Sequence, residues 1–494
     1  MSAFGWKLVY GGKTPPPGEV VRPGERLSWG RTVGLGAQHV VAMFGATFVF
    51  PVIMGLNPNL AIMMSGVATI IFLFIVNGKV PSYLGTSASF VAGVAAVRAQ
   101  GGNSKEVTGA ILVAGVVLVL VGIVVHFAGG GIVQKVLPPA VTGAVVMLIG
   151  FNLAPVVAGV YWPQDEWIGL LTMAFVIAAA VLFRGFWSRI AIFLGLLFGY
   201  GLSWAFDHIF GKINSVLPDG SGPKPHHRID WTGVKNADWL GFPHKSVFAA
   251  DGKEQIVGWH GPSFSMTFIL LILPSVIALI AENAGHVKAV SEMTGENLDP
   301  YLGRAFIGDG VGTAIASAVG GAPTTTYAEN IGVMAATRVY STAAYWVAAV
   351  VAILLGFCPK FGAIVSATPG GVLGGITVVL YGMIGLLGAK IWIENHVDFA
   401  NPVNLVPLAA ALIAGIGGVS LKFTNDFSIS GIALGTIFAI VFYHFVRWLA
   451  PQHLRIEPQG AGRGYEGGAM LSTGNVETPE GELSPFATEG SGPE

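Results

Sequence analysis

Apolar stretches about 20 residues long follow one another along most of the chain, separated by short polar breaks. A helix rising ~1.5 Å per residue needs about 20 residues to cross a hydrocarbon core ~30 Å thick, so each stretch is a candidate span. They fall near 33–54, 59–77, 81–98, 109–128, 134–154, 167–184 and 189–207, and again near 264–286, 304–322, 323–338, 341–358, 363–389, 402–420 and 428–448. The pattern predicts an all-α polytopic membrane protein of fourteen segments. Its expected organisation is an N-terminal arm (1–30), a first repeat (31–207), a polar loop outside the membrane (208–262), a second repeat (263–448) and a tail (449–494). The last ~30 residues are rich in Gly, Pro and Glu and are expected to be disordered.

The windows at 81–98 and 323–338 are short, interrupted and rich in small hydroxyl residues, which suits a discontinuous element better than a lipid-facing helix. They also resemble each other: Gly85 to Val94 can be laid over Thr324 to Val333, with Thr86 on Thr325 and Gly93 on Gly332. A second echo links Pro138-Pro139-Ala140-Val141-Thr142-Gly143-Ala144-Val145 with Pro369-Gly370-Gly371-Val372-Leu373-Gly374-Gly375-Ile376. The first echo joins third window to third and the second joins fifth to fifth. An odd number of spans per repeat gives the halves opposite topology, so the expectation is an inverted repeat with a site near the midplane.

Composition narrows the class. Hydrophobic residues make up 53% of the chain and charged residues 11%, against roughly a quarter charged in soluble proteins. A net charge of −1 offers no electrostatic footprint for nucleic acid. The single cysteine, Cys358, can form neither an internal disulfide nor a thiolate metal cluster. Met1 to Gly30 holds no apolar run of the kind a cleavable signal peptide needs. With the N-terminus inside, cytoplasmic connections hold Lys79, Lys135, Arg184, Arg189, Lys288, Arg304, Arg338 and Lys390, against Arg98, Lys105, Lys360 and Lys422 outside. That asymmetry predicts two cytoplasmic termini and an external 208–262 loop.

Charge inside the apolar windows marks the candidate chemistry. A carboxylate at bilayer depth costs ~2.5 kcal/mol or more, so it usually faces a cavity. Glu282 and His286 sit at i and i+4 on one helical face after an apolar run broken by Pro274. They read as a proton-responsive pair, or else as a polar helix end before Lys288. Glu329 and Asn330 follow Gly320-Gly321, Pro323 and a Thr run that break regular structure. There a carboxylate and exposed backbone amides would complement a cyclic amide bearing N–H donors and C=O acceptors. The structural alternative is a carboxylate satisfied by Thr hydroxyls. Gln38-His39, early in the first window, suits a tethering role better than ligand contact, and Asp309 could hold a helix end or a proton path. A metal site would need a third ligand from elsewhere.

Two of these stretches carry a family resemblance. Gln38-His39 with Ala42-Met43-Phe44-Gly45-Ala46-Thr47, and Glu329-Asn330-Ile331-Gly332 running to Thr337-Arg338, resemble the two signatures of the nucleobase–ascorbate transporter family. The similarity extends from about Arg31 to Trp448 and is greatest to the bacterial uracil permease branch, particularly the pyrimidine permeases of uracil degradation. It implies fourteen spans in two inverted repeats, a core and a gate domain, and short antiparallel strands in segments 3 and 10. It also implies proton symport in the bacterial inner membrane by a homodimer, with no cofactor beyond the coupling proton. By position, Glu282 and Glu329 would accept from a pyrimidine ring on opposite sides, and His286 would share the proton. Backbone amides near Ala88 and Ala328 would donate to the ring carbonyls, with Ala46 packing on the ring and Tyr327 nearby. Gln38, His39, Asn330 and Thr337 would support the site.

Two departures bear on specificity. Ala88 stands where better-known uracil permeases have Phe, and Ala328 where they have Gly, which leaves thymine and other pyrimidines open as substrates. The expected function is therefore proton-coupled import of uracil or related pyrimidines across the lipid bilayer. The xanthine and urate branch, the nearest rival, usually has Gln in place of Glu329. An anion exchanger is disfavoured by the two carboxylates, and a membrane-embedded enzyme by the lack of a nucleophile motif. A passive channel would ignore a pH gradient.

Overall fold

The computed structural model describes residues 5–455 apart from 17, 185, 218–221, 249–253 and 423–427. The principal elements of the first half are α1 (Trp29–Ala42), α2 (Phe44–Ile53), α3 (Pro58–Ile75), β1 (Leu84–Thr86), α4 (Val91–Ala99), α5 (Ser104–Ala128), α6 (Pro139–Phe151), α7 (Glu166–Leu182) and α8 (Ala191–Ile209). The second half opens with α9 (Met266–Ile272), α10 (Ser275–Thr294), α11 (Leu302–Ala318), β2 (Thr324–Thr326) and α12 (Ala328–Thr337). It continues through α13 (Thr342–Gly356), α14 (Pro359–Ser366), α15 (Gly370–Glu394), α16 (Pro402–Ile416) and α17 (Gly431–Leu449).

Local chemistry sets these boundaries. Asn103 and Glu106 form a reciprocal capping box at the start of α5, and Asn57 caps α3 with Pro58 at its first position. Pro274 separates α9 from α10, where a continuous helix would need the N–H that proline lacks. Pro138 and Pro369 occupy the same capping position at the starts of α6 and α15, which accounts for the echo between those segments. Among the described residues, eight helices are long and apolar enough to cross a membrane. A ninth is reached if α13 and α14, bent by 82°, count as one span. Fourteen windows exceed this number because α7, α11 and α16 have only 17, 17 and 15 residues and two windows contain a strand and a short helix. The window at 363–389 straddles the break between α14 and α15, so the helix proper starts at Gly370.

Helix partners obey an exchange rule. Replacing each element by its counterpart in the other half turns α5 against α11 into α13 against α3, and α7 against α8 into α16 against α17. It likewise turns α15 against α7 into α6 against α16, and α1 against α13 into α9 against α5. The pairs α6–α15, α3–α11 and β1–β2 map onto themselves. Two packing groups emerge: α1, α3, α5, α9, α11 and α13 in one, and α6, α7, α8, α15, α16 and α17 in the other. Close approach depends on glycine: a Cβ at Gly150 would lie 2.2 Å from the Gly385 nitrogen, and one at Gly303 2.5 Å from the His126 nitrogen.

The 208–262 loop is tethered rather than draped. Arg228 donates to Asp165 at 2.7 Å and to Asp207 at 3.2 Å, joining the loop to the start of α7 and the end of α8. Its described parts include a hairpin of Ile213–Ser215 with Lys224–His226 and a short helix, Thr232–Asn236. The N-terminal arm is packed as well. Val21, Leu27 and Val339 form a small apolar cluster of their own, and the Trp6 indole N–H donates to Thr342 Oγ1 at 2.8 Å.

Candidate functional site

The site is built around the two short strands. Three consecutive β-branched threonines make β2. It pairs antiparallel with β1 in the register Leu84–Thr326, Gly85–Thr325, Thr86–Thr324, and the ladder extends as the Ser87 N–H donates to the Pro323 carbonyl at 2.9 Å. Each strand then leads into helix, through a short turn at Ala88–Phe90 on one side and directly at Ala328 on the other. Such starts carry backbone N–H groups without helical partners and the positive end of the helix dipole. Gly85 is required here: a Cβ would sit 2.6 Å from the Tyr327 ring and 2.7 Å from Thr47 Oγ1. The buried Tyr327 hydroxyl donates to the Thr86 carbonyl, while Thr86 Oγ1 donates to the Thr47 carbonyl of α2 at 3.3 Å.

Helix α10 lies beside this crossing. Glu282 is half-buried; its Oε1 accepts from Ser89 Oγ at 2.9 Å and its Oε2 from Thr325 Oγ1 at 3.1 Å. One hydroxyl thus comes from each half of the chain. A carboxylate offers about four lone-pair sites, so a ligand N–H can share it with these hydroxyls. Thr324 and Thr326 face the other way, as alternation along a strand demands. Thr326 Oγ1 donates to Asn283 Oδ1 at 3.3 Å, Asn283 Nδ2 to Asp309 Oδ2 at 2.6 Å, and Thr324 Oγ1 to Asp309 Oδ1 at 3.4 Å. This closed polar ring ties α10, α11 and β2 into one unit.

The remaining sequence candidates are spread around this centre. His286 is buried beside the Pro81 backbone, and among the described residues it makes no hydrogen bond to Glu282. Ala88 is half-buried at the turn after β1. His39 is buried against the Tyr345 ring, centroids 4.4 Å apart, and beside the buried Asn330. Gln38 and Thr337 line a separate cleft where the N-terminal arm meets α1 and the end of α12. The backbones of Ala46, Ala328 and Glu329 belong to α2 and α12, but their side chains lie outside the described ones. The sequence reading missed Ser89 and Asn283 and left Asp309 undecided. The Ser and Thr residues crowded into both weak windows were the available signal.

A model described as the Permease family (Xan_ur_permease) matches residues 30–423. The chain belongs to this family. It is therefore a multi-pass membrane transporter and not an enzyme. The permease is 42% identical over 451 residues to RutG of Escherichia coli (strain K12), which carries the name pyrimidine permease; the match covers 89% of this chain and 95% of that one. It is 35% identical over 437 residues to a uracil permease of Paenibacillus larvae subsp. larvae, covering 85% and 95% of the two chains. Among solved structures, the permease matches SLC26A9 at a TM-score of 0.56 and 10% identity, over 85% of this chain and 65% of that one. It matches the transmembrane domain of the cyanobacterial bicarbonate transporter BicA at 0.52 and 11%, over 83% and 96%. At such identities the likeness is one of fold alone.

Proposed function

We propose that this permease imports uracil and related pyrimidines by proton symport, binding the base against Glu282 at the strand crossing. The observation that carries the reading is the half-buried Glu282 carboxylate, fixed by hydroxyls from both halves of the chain, in a protein whose relatives are named pyrimidine and uracil permeases. A pyrimidine ring offers N–H donors to that carboxylate and carbonyls to the backbone amides that open the helices beyond β1 and β2. Glu329, at the start of α12, accepts from the far side of the ring. The coupling proton resides on Glu282 and His286, and its loss to the less acidic cytoplasm weakens binding and releases the base. The protein works in the bacterial inner membrane with both termini cytoplasmic, as a homodimer in which one packing group stays fixed while the other moves.

The test is binding to the purified full-length protein, read by thermal stabilisation with uracil, thymine and xanthine. Uracil and thymine are expected to stabilise it where xanthine does not, and Glu282→Gln is expected to abolish the effect. Stabilisation by xanthine alone would move the protein to the purine-handling members of its family.

A further inference from the structure

A second site lies away from the strand crossing. A cleft of about 400 Å³ opens where the N-terminal arm crosses α1 and the end of α12, lined by Thr14, Arg31, Gln38, Thr337 and Arg338 over an apolar floor that includes Leu27. Its volume falls within the ~300–1,000 Å³ range of small-molecule sites. No carboxylate lines it, and neither arginine has an ion-pair partner among the described residues. Among the described residues, Arg31 donates to Thr14 Oγ1, at 2.7 Å, and Arg338 to the Pro16 and Pro15 carbonyls, at 2.7 and 3.1 Å. A guanidinium carries five N–H donors, so most of theirs are left for a ligand. Arg338 also has a left-handed backbone (φ 56°) where α12 ends, a conformation an L-residue adopts at a cost. The arm carbonyls hold it in place.

We propose that this cleft binds a phosphate-bearing anion, with Arg31 and Arg338 as its two cationic contacts and the apolar floor taking up the remainder of the molecule. Two un-neutralised guanidiniums match a phosphate in charge and in the forked geometry of their donors. A phosphorylated metabolite such as a nucleoside monophosphate and the headgroup of an anionic lipid share this chemistry. An occupant would bridge the arm, α1 and the end of α12.

The test uses the full-length protein in phosphatidylcholine nanodiscs without uracil, so its outcome is independent of the transport reading. Uridine 5′-monophosphate and inorganic phosphate are titrated against chloride of equal ionic strength, and a parallel set of discs contains phosphatidylglycerol. The expected result is a saturable rise in Tm with the soluble phosphates if the source is free, or with phosphatidylglycerol if it is lipid. The apparent affinity should fall at least about tenfold in both Arg31→Gln and Arg338→Gln. Arg31 is exposed with one hydroxyl contact, so Arg31→Gln should fold normally even if Arg338→Gln loosens the arm. Stabilisation no greater than chloride from every probe would overturn the proposal. So would full retention of the effect in Arg31→Gln.

Discussion

Glu282 separates what a helical repeat can reveal from what only a fold can. Its position inside an apolar run marked it, because a carboxylate there needs partners or a cavity. Those partners, Ser89 and Thr325, stand 193 and 43 residues away in sequence, beyond the reach of any local pattern. The same limit applies to Asp309, whose ring with Asn283, Thr324 and Thr326 closes only when α10, α11 and β2 come together. His286, one turn from Glu282, invited pairing on helical spacing, yet among the described residues no hydrogen bond joins the two. Glutamine puts an N–H2 donor where Glu282 has a second acceptor oxygen, and a buried polar group left without its hydrogen bond costs about 1–3 kcal/mol, so Glu282→Gln should weaken uracil binding by about tenfold. Isothermal titration would measure it, and unchanged affinity would remove Glu282 from the ligand. Thr325→Val should cost less, since Ser89 still holds the carboxylate. Asn283→Leu would strand the buried Asp309 and should lower Tm more than Thr325→Val does.

At the scale of elements, the weakest windows proved the most telling. A short apolar stretch full of Ser, Thr and Gly makes a poor lipid-facing helix, and both such stretches contain one of the paired strands. Pro274 and the echo of Pro138 with Pro369 likewise pointed to real helix boundaries. The arm and the 208–262 loop were illegible because their order comes from individual tertiary contacts and not from any period. Gly85→Ala should push β1 off the Tyr327 ring at a cost of about 1–3 kcal/mol, the usual range for overpacking, seen as a lower Tm and lost uracil binding. Arg228→Ala would leave Asp165 and Asp207 facing each other without their cation. Loss of one partner from a buried ion pair costs about 3–5 kcal/mol, so its Tm should fall well below that of Lys390→Ala, which removes an exposed pair. Equal melting points in those two variants would mean that the loop tether carries no stability.

At the scale of the molecule, the exchange rule in helix packing is the physical trace of the duplication glimpsed in two short sequence echoes. Antiparallel pairing of β1 with β2 sets equivalent segments of the two halves head to tail at one crossing. A site shared between halves suits a carrier, since movement of one packing group past the other can expose it to either side in turn. On the proposed function, such movement carries a pyrimidine together with a proton. The most direct measurement is uptake of labelled uracil into proteoliposomes containing the purified permease, first with an inward proton gradient and then after its collapse by a protonophore. Gradient-driven accumulation above equilibrium is expected, abolished by the protonophore, competed by thymine and unchanged by xanthine. Uracil entry that only equilibrates and ignores the gradient would contradict it.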